Sequence, residues 1–198
     1  MCAPQQPASI TANENVESFA SARDQAEGLL AASREVFTDA TVASLTPRYV
    51  AAATAANAWI DYAAGALRSG GSYDEGQSTH RLDDVVTGVS AFAEAVVAAA
   101  ATPANFRAPL TPLPPSAVID DLTAAPPIVA SAEQVRNGVA GGVDAILAAQ
   151  GAIGALDQTD RARIADTLAS VKWNSAQDVL AAPMVAPASP MVAPASPM

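Results

Sequence analysis

The sequence predicts an all-α fold: an antiparallel bundle of four to five helices with a Pro-rich strap and disordered N- and C-terminal tails. Three observations predict it. All but Pro47 of the 15 prolines fall in three clusters, at residues 4–7, 103–127 and 183–197, which leaves the blocks between them free to be helical. Apolar side chains in those blocks recur at helical spacing. About a quarter of the chain is alanine, the strongest helix former.

The proline clusters also divide the chain into regions. We predict a flexible tether at residues 1–12, a helical bundle at 13–182 and a Pro/Ala/Met repeat tail at 183–198. Within the bundle, residues 103–129 form a Pro-rich connection. Because apolar residues recur along this connection, we expect an extended strap packed on the bundle, with one short helix near residues 116–124.

The first predicted helix spans residues 11–39 and begins at a capping box made by Thr11 and Glu14. Ser33 is the one polar interruption of its apolar face, and its hydroxyl is expected to bond to a carbonyl one turn earlier. That face comprises Phe19, Ala22, Ala26, Leu29, Leu30, Val36 and Phe37.

The second predicted helix starts at Thr46–Pro47, since proline suits a first turn, and stops at Gly70–Gly71. Its stripe comprises Tyr49, Ala53, Ala56, Ile60, Ala63 and Leu67. The third runs over residues 78–102 and is ended by Pro103. Its stripe comprises Leu82, Val85, Val89, Phe92 and Val96.

The fourth predicted helix opens at Ser131, with Gln134 completing a capping box. Its inner face comprises Val135, Val139, Gly142, Ile146, Ala149 and Ile153. Because Gly138 and Gly142 lie four apart, this helix is expected to approach a neighbour closely. Residues 157–160 break it, and a fifth helix continues to about Ala182 with a stripe of Ile164, Leu168, Val171 and Val179.

Composition excludes several classes of function. The net charge of −10 argues against nucleic-acid binding, and the single cysteine excludes an internal disulfide. His80 is the only histidine, so the usual zinc, di-iron and serine-triad sites lack ligands or a base. We therefore expect no metal, no cofactor and no catalytic residues. An enzyme using interior carboxylates is the remaining enzymatic alternative, with Asp61 and Glu94 as the acids to check.

Three aromatic side chains are candidates for contact with a partner or ligand. Trp59 and Tyr62 flank the inner stripe of the second helix, and Trp173 lies near the end of the last. Packing at the edge of the core is the alternative for the tryptophans. An exposed Trp173 would mark a partner surface instead.

The N-terminus carries the one resemblance to a known class. Cys2 is followed by Ala-Pro-Gln-Gln-Pro-Ala-Ser, which resembles the start of a mature bacterial lipoprotein. The resemblance implies a lipid on Cys2, a membrane anchor and a location on the periplasmic side of the cell envelope. An incidental cysteine in a cytoplasmic protein is the alternative.

These observations together predict a non-enzymatic envelope lipoprotein that acts as a scaffold or interaction module with a protein partner. Two alternatives stay open. A bundle with glycine and alanine on facing stripes could leave an apolar pocket for a small ligand. The chain could also be a soluble cytosolic adaptor.

Overall fold

A computed structural model describes residues 8–69, 73–107, 125–153 and 156–182, with side chains over 16–69, 73–107, 127–148 and 156–182. In this part the chain forms α1 (Ala8–Val36), α2 (Asp39–Ser69), α3 (Glu75–Ala100), α4 (Ala125–Ile153), α5 (Gln158–Ser170) and α6 (Ala176–Ala181), with a 3-10 turn at Pro103–Asn105. An isolated bridge pairs Phe37 with Phe106. The prediction of an all-α fold is confirmed.

The buried faces follow the predicted stripes. Every predicted core side chain that the structure describes is buried, except Val36, which is half-buried. Ser33 is also buried, and its hydroxyl donates to the Leu29 carbonyl at 2.7 Å, as predicted. The side chains of Ala149 and Ile153 lie outside the described residues, as do the short helix near 116–124, Gly70–Gly71 and the tail at 183–198.

Four predicted helix starts were too late, and α3, for example, begins at Glu75 rather than at residue 78. The backbone is already helical from Ala8, inside the predicted tether, so Thr11 lies within α1. The helix α4 begins at Ala125, because prolines in a first turn lack only an N–H that has no helical partner there. The start of α2 is the largest error.

The helix α2 begins at Asp39 and contains Pro47 in its interior. Proline removes the hydrogen bond to the carbonyl four residues earlier, that of Ala43. Ala43 and Pro47 are both exposed, so water can satisfy that carbonyl. Extending the helix back to Asp39 adds three buried side chains, Thr41, Val42 and Leu45, which offsets the cost of the proline.

The connection after α3 begins against the bundle. The Phe106 ring lies 5.1 Å from that of Phe37. The backbone N–H of Arg107 donates to the Val36 carbonyl at 2.9 Å, and the N–H of Thr38 donates to the Asn105 carbonyl at 2.8 Å. Through these contacts, residues 105–107 at the start of the predicted strap pack against the junction of α1 and α2.

The helices contact one another in a closed order. The helix α1 packs on α4, α4 on α3, α3 on α2 and α2 on α5, while α5 and α6 also contact α1. The last two helices therefore fill the space between α1 and α2. We call this space, with the turn at residues 171–175 that enters it, the α1–α2 seam.

Small residues set the closest helix approaches. A Cβ atom added at Gly142 would lie 3.6 Å from the Ser18 carbonyl oxygen, and one at Gly138 would lie 2.6 Å from Gln25 Oε1. The fourth helix thus presses on α1, as its two glycines predict. A Cβ atom at Gly88 would lie 3.0 Å from Ala52 Cα, so α2 and α3 approach at least as closely.

Gly88→Ala tests this approach against Gly28→Ala as a matched control. Nothing lies within 4 Å of a Cβ atom at Gly28, so that alanine is expected to stabilise the fold by about 0.5–1 kcal/mol. At Gly88 the same gain is opposed by overpacking against backbone, which costs about 1–3 kcal/mol. Urea unfolding should rank Gly28→Ala above Gly88→Ala by roughly that amount. Equal effects would show that the two helices can separate freely.

Candidate functional site: the α1–α2 seam

The turn between α5 and α6 leaves helical geometry without a proline or glycine. Its backbone is instead paired by side chains from distant helices. Asn57 on α2 accepts from the Trp173 N–H at 2.9 Å through Oδ1 and donates to the Trp173 carbonyl at 3.1 Å through Nδ2. One amide side chain thus satisfies both backbone groups of a buried residue. The single helix predicted to run to Ala182 is therefore wrong: it is divided at this turn.

Asn174 is held in the same way from two sides. On α1, Glu27 accepts from the Asn174 backbone N–H through Oε1 and from its side-chain Nδ2 through Oε2, both at 2.9 Å. On α2, the Tyr49 hydroxyl donates to the Asn174 carbonyl at 2.9 Å. All four backbone hydrogen-bonding groups of Trp173 and Asn174 are thus paired by side chains of α1 and α2.

The indole of Trp173 fills the space between the two helices. Its ring centroid lies 6.4 Å from that of Phe19 on α1 and 6.3 Å from that of Tyr49 on α2, and the residue is 4% exposed. Its Nε1 is buried and, among the described residues, is the buried side-chain polar atom without a hydrogen-bond partner. The seam therefore fits the aromatic surface of this side chain but not its polar edge.

Beyond the turn, α6 is anchored at both ends. Ser175 caps it by accepting from the Asp178 N–H at 3.2 Å. Near its other end, the Arg34 guanidinium donates to the Leu180 carbonyl. At the start of the turn, an exposed ion pair joins Lys172 Nζ to Asp61 at 2.7 Å. Exposed pairs of this kind contribute little to stability, so the contacts of the buried Trp173 matter more.

Burial raises the pKa of Tyr49 above its ordinary value of 10.0, and the negative charge of Glu27 raises it further, while Arg23 acts in the opposite direction. The phenol is therefore kept neutral, as its role as a donor to Asn174 requires. Since the folded pKa is the higher one, the associated stability is present below about pH 10. It is lost as the pH rises and the unfolded phenol ionises.

Tyr49→Phe is expected to show this dependence. The wild-type chain should exceed the variant in free energy of unfolding at about pH 8, and the difference should shrink as the pH rises above 10, by up to about 1.4 kcal/mol per pH unit. Urea unfolding of both proteins from about pH 8 to 11 measures it. A difference that stays constant over this range would show that Tyr49 ionises equally easily in both states.

A second feature lies on the outside of the bundle, between the start of α2 and the end of α3. It is an open groove of about 640 Å³. Its lining consists of small and polar residues, one leucine and one arginine: Ala40, Thr41, Ser44, Leu45, Arg48, Ala95, Ala98, Ala99 and Asn105. The Ser44 hydroxyl donates to the Thr41 carbonyl, and the Thr41 hydroxyl bonds to that of Thr38, so both hydroxyls already have partners. We call this feature the α2–α3 groove.

The aromatic residues predicted from sequence separate into two groups. Trp59 is 2% exposed and donates from Nε1 to the Ser78 hydroxyl at 3.1 Å, so it packs in the core, as does Trp173. Only Tyr62 reaches the surface, where its hydroxyl bonds to the Asp74 backbone and the Arg81 guanidinium lies 5.1 Å from its ring centroid. Neither tryptophan presents an exposed partner surface, and the packing alternative describes both.

The other predicted candidates do not come together. Asp61, Glu94 and His80 are exposed, so the two acids do not point inward. In the described part of the chain, no group of three His, Cys, Asp or Glu side chains is placed to hold a metal ion, and no helix has the length and apolarity to cross a membrane. Cys2 lies outside the described residues.

Sequence reasoning missed Glu27, Asn57 and Asn174, which build the seam. Asn57 carries the one available signal, because asparagine is a poor helix former and is unexpected in the middle of an alanine-rich helix. Its partner is 116 residues away in the chain, so the signal does not reveal the contact. In comparisons with known proteins, no family model, no curated protein and no solved structure matches this chain.

Proposed function

We propose that this chain is a non-enzymatic interaction module, built on a mostly antiparallel bundle of four to five helices, that receives a protein partner on the outer face of α2. One observation carries the proposal. Between Asp39 and Asp61, Arg48 is the only charged residue of α2. The exposed side chains of this stretch are otherwise small or apolar: Ala40, Ala43, Ser44, Pro47, Val50, Ala51, Thr54 and Ala58.

The other long helices differ in this respect. The exposed residues of α1 include Glu17, Asp24 and Glu35, and those of α4 include Glu133 and Asp144. In a chain with a net charge of −10, a nearly uncharged exposed helix face is a local exception. Exposed apolar surface of this kind is typical of interaction sites.

Charge indicates the chemistry of the partner. Arg48 lines the α2–α3 groove, and in the described part of the chain its guanidinium has no ion pair or hydrogen bond. The alanines on both walls leave room for the side chains of an incoming helix. We therefore propose a partner helix with an apolar face and an acidic side chain placed to meet Arg48.

Site-specific photo-crosslinking tests this proposal in cells that express the native gene. A photoreactive residue at Ala51 on α2 should give a discrete adduct of higher mass, and the same residue at exposed Ala130 on α4 should not. Arg48→Glu should weaken the adduct at Ala51, because it reverses the charge that the partner meets. Indistinguishable products at Ala51 and Ala130 would contradict the proposal.

We also propose that Cys2 carries a lipid that holds the module on the periplasmic side of the envelope. The support is the sequence from Cys2 to Ser9, which resembles the start of a mature lipoprotein. Mass spectrometry of the protein made from its native gene tests it. A diacylated or triacylated cysteine at the N-terminus is the expected result, and an unmodified Cys2 would refute the anchor while leaving the α2 surface untouched.

A further inference from the structure

We propose that the side chains of α1 and α2 that line the seam form a peptide-recognition slot. The segment Trp173–Asn174 of the same chain occupies this slot in cis. The slot also accepts in trans a peptide with an aromatic residue followed by asparagine. The proposal goes beyond the α2 surface described above, since it concerns a different face of the molecule and a different ligand.

The hydrogen bonds have the form of ligand recognition. Within a helix or a sheet, backbone groups pair mainly with other backbone groups. Here the N–H and C=O of two consecutive residues are paired by three side chains, those of Glu27, Asn57 and Tyr49. Such contacts do not depend on the turn being continuous with α5, so a separate peptide could make them equally well.

The side-chain contacts supply selectivity. Phe19 and Tyr49 face the Trp173 ring from α1 and α2, and the Glu27 carboxylate takes both the backbone N–H and the side-chain Nδ2 of Asn174. The second of those bonds requires a hydrogen-bond donor in this side chain, which the amide of asparagine supplies. The first position requires an aromatic ring but not an indole, because Trp173 Nε1 has no acceptor in the slot.

The same unpaired Nε1 makes the binding of Trp173 in the slot less favourable. A buried donor without a partner costs about 1–3 kcal/mol. Beyond the turn, the described chain adds the six-residue helix α6, whose buried residues are Ala176 and Val179. Apart from Trp173, the segment at residues 172–182 therefore adds few buried side chains to the seam.

The Trp173–Asn174 segment of the same chain competes with any added peptide for the slot. A ligand tethered in cis competes at an effective concentration of about millimolar, so the wild-type chain should bind added peptide weakly. Removing the cis aromatic side chain should reveal the slot. The apparent affinity for the peptide should then rise by at least about tenfold.

Fluorescence anisotropy with a labelled synthetic peptide of residues 171–182 tests this. The probe is titrated with the full-length wild-type chain and with full-length Trp173→Ala, whose helix content is checked by circular dichroism. We expect at least about tenfold tighter binding by the variant. Peptides with Trp173→Ala or Asn174→Ala should lose most of this binding, whereas a peptide with Trp173→Phe should keep it, because phenylalanine has no N–H to leave unpaired.

Two results would overturn the proposal. One is a folded Trp173→Ala chain that does not bind the peptide, and the other is equal binding of the peptide with and without its tryptophan. If Trp173→Ala does not fold, hydrogen exchange of the wild-type chain decides. The Trp173 and Asn174 amides should exchange through an opening that leaves α1 to α4 protected, and exchange only on global unfolding would refute the slot.

Discussion

Phe92→Ala is expected to lower the free energy of unfolding by about 3–5 kcal/mol. Phe92 is fully buried on α3, and its ring meets that of Tyr49 edge-on at a centroid distance of 5.7 Å. The cost of such a truncation depends on how far the surroundings can collapse into the cavity. Here they can collapse little, because α2 and α3 already approach backbone to backbone at Gly88 and Ala52.

Val97→Ala is the matched control on the same helix. Val97 is 38% exposed, so its truncation should change stability by no more than about 0.5 kcal/mol. Urea unfolding of the wild-type chain and both variants measures the difference, and Phe92→Leu provides a smaller truncation if the alanine variant does not fold. If Phe92→Ala and Val97→Ala were equally stable, the core would not depend on its few large side chains.

The dependence on large side chains explains why the buried faces could be predicted from sequence. In an alanine-rich chain, the large apolar residues of one block, such as Leu82, Val85 and Val89, stand out at intervals that only a helix places on one face. The pattern is local, so it can be recognised without knowing which helices pack against it. Ser33 shows that even a polar interruption could be interpreted, because its partner, the Leu29 carbonyl, lies one turn away.

Helix boundaries could be predicted less well, because they depend on distant contacts. Pro47 predicts a start, but the helix extends past it to bury Thr41, Val42 and Leu45. The break after Ser170 has the opposite cause: its residues include no strong helix breaker, and side chains from α1 and α2 replace the helical hydrogen bonds.

The candidate site could not be predicted for the same reason. Glu27 and Asn174 are separated by 147 residues, and each taken alone is an ordinary polar residue. Trp173 stands out in the sequence as one of two tryptophans, but its burial is set by the space that α1 and α2 leave between them. What the chain encodes locally is the helices, whereas the seam arises only from their assembly.

Asn57→Ala is the second change with a large expected effect, about 2–5 kcal/mol of lost stability. Trp173 is 4% exposed, so removing the amide leaves its N–H and its C=O buried without their partners. Each unsatisfied group costs about 1–3 kcal/mol. Alanine is also a better helix former than asparagine, which returns a few tenths of a kcal/mol. The net loss should therefore fall within the stated range.

Asn137→Ala is the matched control, since it makes the same chemical change at an exposed position of α4. It should change stability by no more than about 0.5 kcal/mol. Urea unfolding gives the free energies, and the near-ultraviolet circular dichroism of the tryptophans reports on the seam. If Asn57→Ala were as stable as Asn137→Ala and left that signal unchanged, the turn would hold its geometry without α2. The seam would then be ordinary packing, since a slot that recognises a peptide backbone must lose affinity and order when its amide is removed.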